Sequence, residues 1–169
     1  EGRIEDIREC IGCNICISGN NSFVPMRCTQ NPTMGEEWRR GWHPEGLPAK
    51  GSDDRVLVIG AGPAGLEAAR ALGERGYAVT LADRASEPGG RVTREAALPG
   101  LAAWARVRDW RLTQLARMAH VQMYLESTMG KDEILGFGAP HVVFATGATW
   151  RRDGVGHANH RTIPGAGRS

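Results

Sequence analysis

A short apolar run followed at once by three spaced glycines constrains this chain more than any other feature. Arg55-Val56-Leu57-Val58-Ile59 is almost wholly apolar and rich in β-branched residues, the pattern of a strand buried on both faces of a parallel sheet. Gly60-Ala61-Gly62-Pro63-Ala64-Gly65 follows without a break, and Leu66 to Arg75 then mixes small and charged residues at helical spacing up to Gly76. The glycines alone would mean no more than a turn. Strand, GxGxxG and helix in that order form a dinucleotide-binding fingerprint. Gly60 is expected to make the tight turn, Gly62 to let a pyrophosphate approach the backbone, and Gly65 to let the helix lie close to the strand. The helix N-terminus offers free N–H groups and a positive dipole end to the phosphates.

The segments after the fingerprint extend the same pattern. Tyr77 to Ala82 reads as a second strand, and Asp83 ends it 18 residues after Gly65. An acid there can accept hydrogen bonds from ribose hydroxyls and disfavours a 2′-phosphate, although Arg84 beside it works the other way. The plainer alternative is a turn-forming Asp. Pro88-Gly89-Gly90-Arg91 is a further glycine turn that could bring backbone to the cofactor. Leu101, Trp104, Ala105, Leu112, Leu115, Ala116 and Ala119 recur at helical spacing, interrupted by Arg108, and predict one long helix with its arginines on a solvated face. Val121 to Leu125 alternates as a third strand, Lys131 to Leu135 suits a helical turn, and His141 to Ala145 is a fourth strand ending in Thr146-Gly147. The alternation implies an α/β fold, a doubly wound parallel sheet with right-handed crossovers, preceded by a cysteine-rich segment. Ligands bind at the carboxyl ends of such strands, where Gly60, Asp83 and Thr146 fall.

All four cysteines lie in the first 28 residues, as Cys10, Cys13, Cys16 and Cys28 with spacing C-x2-C-x2-C-x11-C. Three readings compete. A disulfide framework needs an oxidising compartment and a geometry that residues three apart on a tight loop do not readily give. A four-cysteine zinc site normally uses two separated C-x2-C hairpins. Three thiolates at three-residue steps with a fourth further on suit a [4Fe-4S] cluster, and Gly12 allows close backbone approach to inorganic sulfide. The last reading fits best, because it uses every cysteine in the chain.

The remaining features set bounds. Thr33-Met34-Gly35-Glu36 has capping-box spacing and predicts a helix over Glu36 to Trp42, with Trp38 and Trp42 on one face. Residues 44–54 are rich in Pro, Gly and charge and read as a linker between a cluster segment at 1–43 and a nucleotide-binding domain at 55–169. With 21 basic and 19 acidic side chains, the charge of +2 gives no reason to expect nucleic acid or an anionic membrane as partner. No apolar stretch reaches transmembrane length and no signal peptide is evident, so a cytoplasmic location is expected.

The run from Cys10 to Cys16, then CTQNPTMGEEWRRGWHPE from Cys28, then VLVIGAGPAGLEAAR, EPGGRV, AALPGL, RDWRLTQ, VVFATGATW and IPGAG resembles the trimethylamine, dimethylamine and histamine dehydrogenase family of iron–sulfur flavoproteins. The cysteine block and GEEWRRGWHPE are its most specific parts; GAGPAG and ATGA are shared by many flavin and pyridine-nucleotide enzymes. The resemblance implies that the chain is an internal fragment. A preceding (β/α)8 barrel would carry FMN and the small-amine pocket. Cys10, Cys13, Cys16 and Cys28 would hold the [4Fe-4S] cluster. ADP or FAD would occupy the site formed by Gly60, Gly62, Pro63, Ala64, Gly65, Asp83, Arg84, Gly90, Arg91, Thr146 and Gly147. Electrons would pass from the amine through FMN and the cluster to an electron-transfer flavoprotein, and the full-length protein would be a homodimer. No catalytic residue of the barrel can be placed on this chain. The Cys16 to Cys28 spacing is one residue shorter than expected for trimethylamine dehydrogenase, which argues against assigning the particular amine. An NAD(P)H-dependent 2,4-dienoyl-CoA or enoate reductase of the same architecture, with FAD at the glycine loop, is the second reading. A bare electron-transfer and nucleotide-binding module is the third.

Overall fold

The computed structural model describes residues 2–36, 38, 46–149, 151–156 and 159–166. The expected helix from Glu36 to Trp42 falls largely outside them. Four strands, β1 (Val56–Ile59), β2 (Val79–Ala82), β3 (Val121–Tyr124) and β4 (His141–Phe144), form one parallel sheet in the order β3-β2-β1-β4. Val56 pairs with Val79 on one side and His141 on the other, and Val79 pairs with Val121. The central position of β1 explains its composition: all four of its residues are buried, whereas β3 and β4 at the edges are largely open.

Among the described residues, five α-helices connect or precede these strands: α1 (Ile15–Asn21), α2 (Pro63–Glu74), α3 (Arg91–Ala96), α4 (Arg106–Leu115) and α5 (Lys131–Phe137). Helix α2 packs on the sheet and against α4. Val56, Val58, Val79 and Leu81 project from the strands to meet Leu66 and Ala69 of α2 and Leu115 of α4 in the main core. Ala69 and buried Gly73 let α2 approach closely; a Cβ at Gly73 would lie 2.6 Å from Met118 Sδ and 2.7 Å from Val121 Cγ2.

Two expectations need correction. The long helix over 101–119 is broken. A 3-10 turn at Ala102–Ala105 precedes α4, and the separate helix α3 lies before it. The buried residues of α4 are Val107, Arg111 and Leu115, so one of its arginines is a core residue and not part of a solvated face. Helix α1 was also not anticipated. It places Cys16 in its first turn, after Asn14 in a left-handed conformation at φ 57°. No helix among the described residues is long and apolar enough to cross a membrane.

The linker residues are tied to the end of α2. Lys50 N–H donates to the Arg75 carbonyl at 2.7 Å, Arg75 Nε to the Pro48 carbonyl at 3.0 Å, and Gly51 N–H to the Tyr77 hydroxyl at 3.0 Å. The cysteine segment docks on α4. Trp110 Nε1 donates to the Asp6 carbonyl at 3.2 Å, Arg8 stacks its guanidinium 3.8 Å over the Trp110 ring, and Arg106 donates to the Cys10 carbonyl at 2.8 Å.

Candidate functional site

Three loops meet at the carboxyl end of β1 and β2. Gly60 has φ +103°, and a Cβ there would sit 2.4 Å from the Ala145 carbonyl oxygen, so only glycine lets β1 turn beside the end of β4. Gly65 sits under the same turn; its Cβ would be 1.7 Å from the Gly60 carbonyl oxygen. Gly62, the N-cap of α2, has ordinary extended backbone and open space where a side chain would project. Pro63 takes the first helical position and Ala64 is exposed beside it.

Asp83 links the second loop to the first. Its Oδ2 accepts from the Ala61 N–H and its Oδ1 from the Ala85 N–H at 2.7 Å. The turn-forming role and a place beside the glycine loop thus coexist in one carboxylate. A carboxylate offers about four lone-pair positions, so two remain for ribose hydroxyls. The third loop closes on the other side of Ala61, whose carbonyl accepts from Gly89 N–H at 2.7 Å. Gly90 follows at φ +56°, where a Cβ would be 3.2 Å from Gly62 Cα. Arg91 opens α3 and is paired with Glu95 at 2.6 Å, while Arg84 is exposed. Ala145 N–H donates to Ile59 at 2.8 Å, which carries exposed Thr146 and Gly147 to the same edge. All the residues of the expected nucleotide site therefore lie on the β1, β2 and β4 ends or on the two adjoining glycine turns. A separate shallow cavity of about 500 Å³ is lined instead by Arg151, Arg152, Asp153, Ile163 and their neighbours.

The cysteines form the second cluster of chemistry. All four are free thiols. Gly12 N–H donates to Cys10 Sγ and Gln30 N–H to Cys28 Sγ, each at 3.3 Å, and the Thr29 hydroxyl lies 2.7 Å from Cys13 Sγ. That last contact brings the Cys28–Gln30 segment against the Cys10–Cys16 loop and holds the Cys13 thiol below its ordinary value. The donor set fits an iron–sulfur cluster in chemistry: four thiols, three of them already receiving or sharing a hydrogen bond of the kind that stabilises a thiolate. Among the described residues, however, no three Cys, His, Asp or Glu side chains stand close enough together to hold a metal ion.

Between the two clusters lies an ionic core that sequence reasoning missed. Arg70, 2% exposed, pairs with Glu67 and Glu74 at 2.7 Å each. Arg111 reaches Glu67 Oε2 at 2.7 Å. Burial by itself pushes the Glu67 carboxyl up, but Arg70, Arg111 and Arg8 outweigh it and hold it below its ordinary value. Glu67 and Arg111 are 44 positions apart, so no periodic signal could have joined them.

Residues 58–122 match the family described as NAD(P)-binding Rossmann-like domain. The chain is 53% identical to dimethylamine dehydrogenase of Hyphomicrobium sp. (strain x) over 98% of its length. Histamine dehydrogenase from Rhizobium sp. 4-9 superimposes with a TM-score of 0.88 at 58% identity, covering 96% of the chain. Over the region shared with them, the chain is similar to dimethylamine and histamine dehydrogenases. It spans about a quarter of their length, 23% of the first and 24% of the second. A 2-naphthoyl-CoA reductase is also similar, at 30% identity and a TM-score of 0.81 over 91% of this chain and 23% of that one.

Proposed function

We propose that this chain is the electron-relay and nucleotide-binding part of an iron–sulfur flavoprotein amine dehydrogenase. The supporting observation is that the likeness to dimethylamine dehydrogenase, 53% identity, extends over 98% of the chain and so takes in both the cysteine segment and the glycine loop. In the whole protein a small amine would be oxidised at FMN in a preceding barrel, and an electron-transfer flavoprotein would be the final acceptor.

The roles of the residues follow from their chemistry. Gly62 and the N-terminus of α2 receive a pyrophosphate, since the space beside Gly62 is open and the N–H groups of a first helical turn have no partner within the helix. Asp83 accepts from ribose hydroxyls while its bonds to Ala61 and Ala85 keep the loop in register. Gly90, Arg91, Thr146 and Gly147 border the same edge. Cys10, Cys13, Cys16 and Cys28 hold the [4Fe-4S] cluster, which when bound supplies one-electron transfer. Thr29 and the N–H groups of Gly12 and Gln30 stabilise thiolate charge on three of them.

The second reading, an NAD(P)H-dependent 2,4-dienoyl-CoA or enoate reductase with FAD at the glycine loop, draws support from the likeness to 2-naphthoyl-CoA reductase. Calorimetric titration with ADP, FAD and NADPH separates the two. Tight ADP binding without FAD binding is expected for the amine dehydrogenase; FAD binding together with NADPH oxidation would favour the reductase.

A further inference from the structure

Arg108 breaks the apolar stripe of residues 101–119 at a position where the helical spacing calls for an apolar side chain. It lies on α4 with its side chain 25% exposed, and it leans on the second glycine turn. Gly89, buried and at φ +103°, leaves room for the carbon stem of the arginine: a Cβ there would lie 2.6 Å from Arg108 Cδ and 3.0 Å from Arg108 Cγ. Arg108 Nη1 donates to the Thr93 hydroxyl at 3.2 Å, and that hydroxyl donates to the Pro88 carbonyl at 2.8 Å. Arg108 Nε is paired with Asp109 at 2.7 Å. The Gly89 N–H in turn donates to the Ala61 carbonyl at 2.7 Å. A continuous chain of contacts therefore runs from α4 through Thr93 of α3 and the turn at 88–90 to the first glycine loop. Gly90 ends that chain beside Gly62, where a Cβ on Gly90 would be 3.2 Å from Gly62 Cα. A side chain wanted only to cover Gly89 would be apolar, because burying polar groups is unfavourable unless their hydrogen bonds are made. Here the guanidinium and the hydroxyl are both bonded, and a satisfied polar network specifies one geometry.

We propose that Arg108, acting through Thr93, is a positioning residue for the nucleotide site: it fixes the turn at 88–90 against the loop at Gly62, and so the fit of a pyrophosphate between them. This rests on the reading that the glycine loop binds a nucleotide diphosphate. Arg108 does its work without touching the ligand. Losing its bond to Thr93 frees the Pro88 carbonyl and lets the turn move relative to Gly62.

The test compares the intact wild-type protein with Arg108→Met, Thr93→Val, the double variant and Thr93→Ser. Arg108→Met keeps a stem over Gly89 and loses the guanidinium. Thr93→Val keeps the shape and loses the hydroxyl, while the Arg108 charge stays in place. The probes are ADP and FAD, titrated by calorimetry, and adenosine, which has no phosphate, titrated by ligand-observed NMR. Each single variant is expected to bind the diphosphate ligand about tenfold more weakly. The double variant binds no more weakly than the worse single variant, Thr93→Ser binds like wild type, and adenosine affinity is unchanged throughout. Should Arg108→Met fail to fold, the contrast between Thr93→Val and Thr93→Ser carries the test. Wild-type diphosphate affinity in Thr93→Val, or an equal loss of adenosine and diphosphate affinity, overturns the positioning role while leaving the nucleotide reading intact. A wild-type protein that binds neither ADP nor FAD overturns both.

Discussion

Asp83 and Ala61, 22 positions apart, are joined by a hydrogen bond from the Ala61 N–H to Asp83 Oδ2. Ala61 in turn accepts from Gly89 through its carbonyl. One residue of the glycine loop is therefore gripped from both sides by the turns that follow β2. The nucleotide loop is held in shape by the residue that would also read the ribose.

That double duty makes Asp83→Ala a severe change for a half-exposed residue. It removes two hydrogen bonds to a charged group, each worth about 2 kcal/mol, so both thermal stability and ADP affinity should fall. Asp83→Asn keeps one of the two acceptors and should recover no more than about half of the lost stability, and less of the affinity. Thermal melts with and without ADP check this.

Gly62 and Gly65 should behave oppositely. A Cβ at Gly65 would overlap the Gly60 carbonyl at 1.7 Å, and the backbone on both sides is fixed, so Gly65→Ala is expected to prevent the native fold. At Gly62 nothing lies within 4 Å, so Gly62→Ala should change stability by no more than about 1 kcal/mol. Its methyl group would nevertheless stand where the pyrophosphate approaches, and calorimetry should show ADP affinity reduced tenfold or more, a loss of at least about 1.4 kcal/mol.

Arg111→Ala breaks a buried ion pair and should destabilise the protein by about 3 kcal/mol, judged by denaturant titration. The pair also has a pH signature. The Glu67 carboxyl is held below its ordinary value in the folded protein. Its contribution is therefore complete above the unfolded carboxylate range, about pH 4.5, and is lost as pH falls through the lower folded value. Glu67→Gln should lose stability at neutral pH and show a shallower decline over that acid window.

Much of the sheet was legible in the sequence. The runs Val56–Ile59 and His141–Phe144 are short, apolar and β-branched, and the glycines at 60, 62 and 65 mark the crossover into α2. What the sequence concealed depends on distant partners. Arg111 looks like any surface arginine until Glu67 and Gln30 are found beside it. The apolar stripe over 101–119 is real as a pattern, yet the chain enters it through the Ala102–Ala105 turn and buries Val107 and Arg111, which the stripe did not include. Gln30 carried no signal beyond lying two residues after Cys28.

The cysteine site gives the most direct test of the whole account. Anaerobic reconstitution with iron and sulfide, followed by metal and sulfide analysis and EPR of the reduced protein, should yield about four irons and four sulfides per chain. Replacing any one of Cys10, Cys13, Cys16 or Cys28 by Ser should lower that yield sharply. A stable product holding only zinc, or a protein in which the four thiols form two disulfides, would contradict the account.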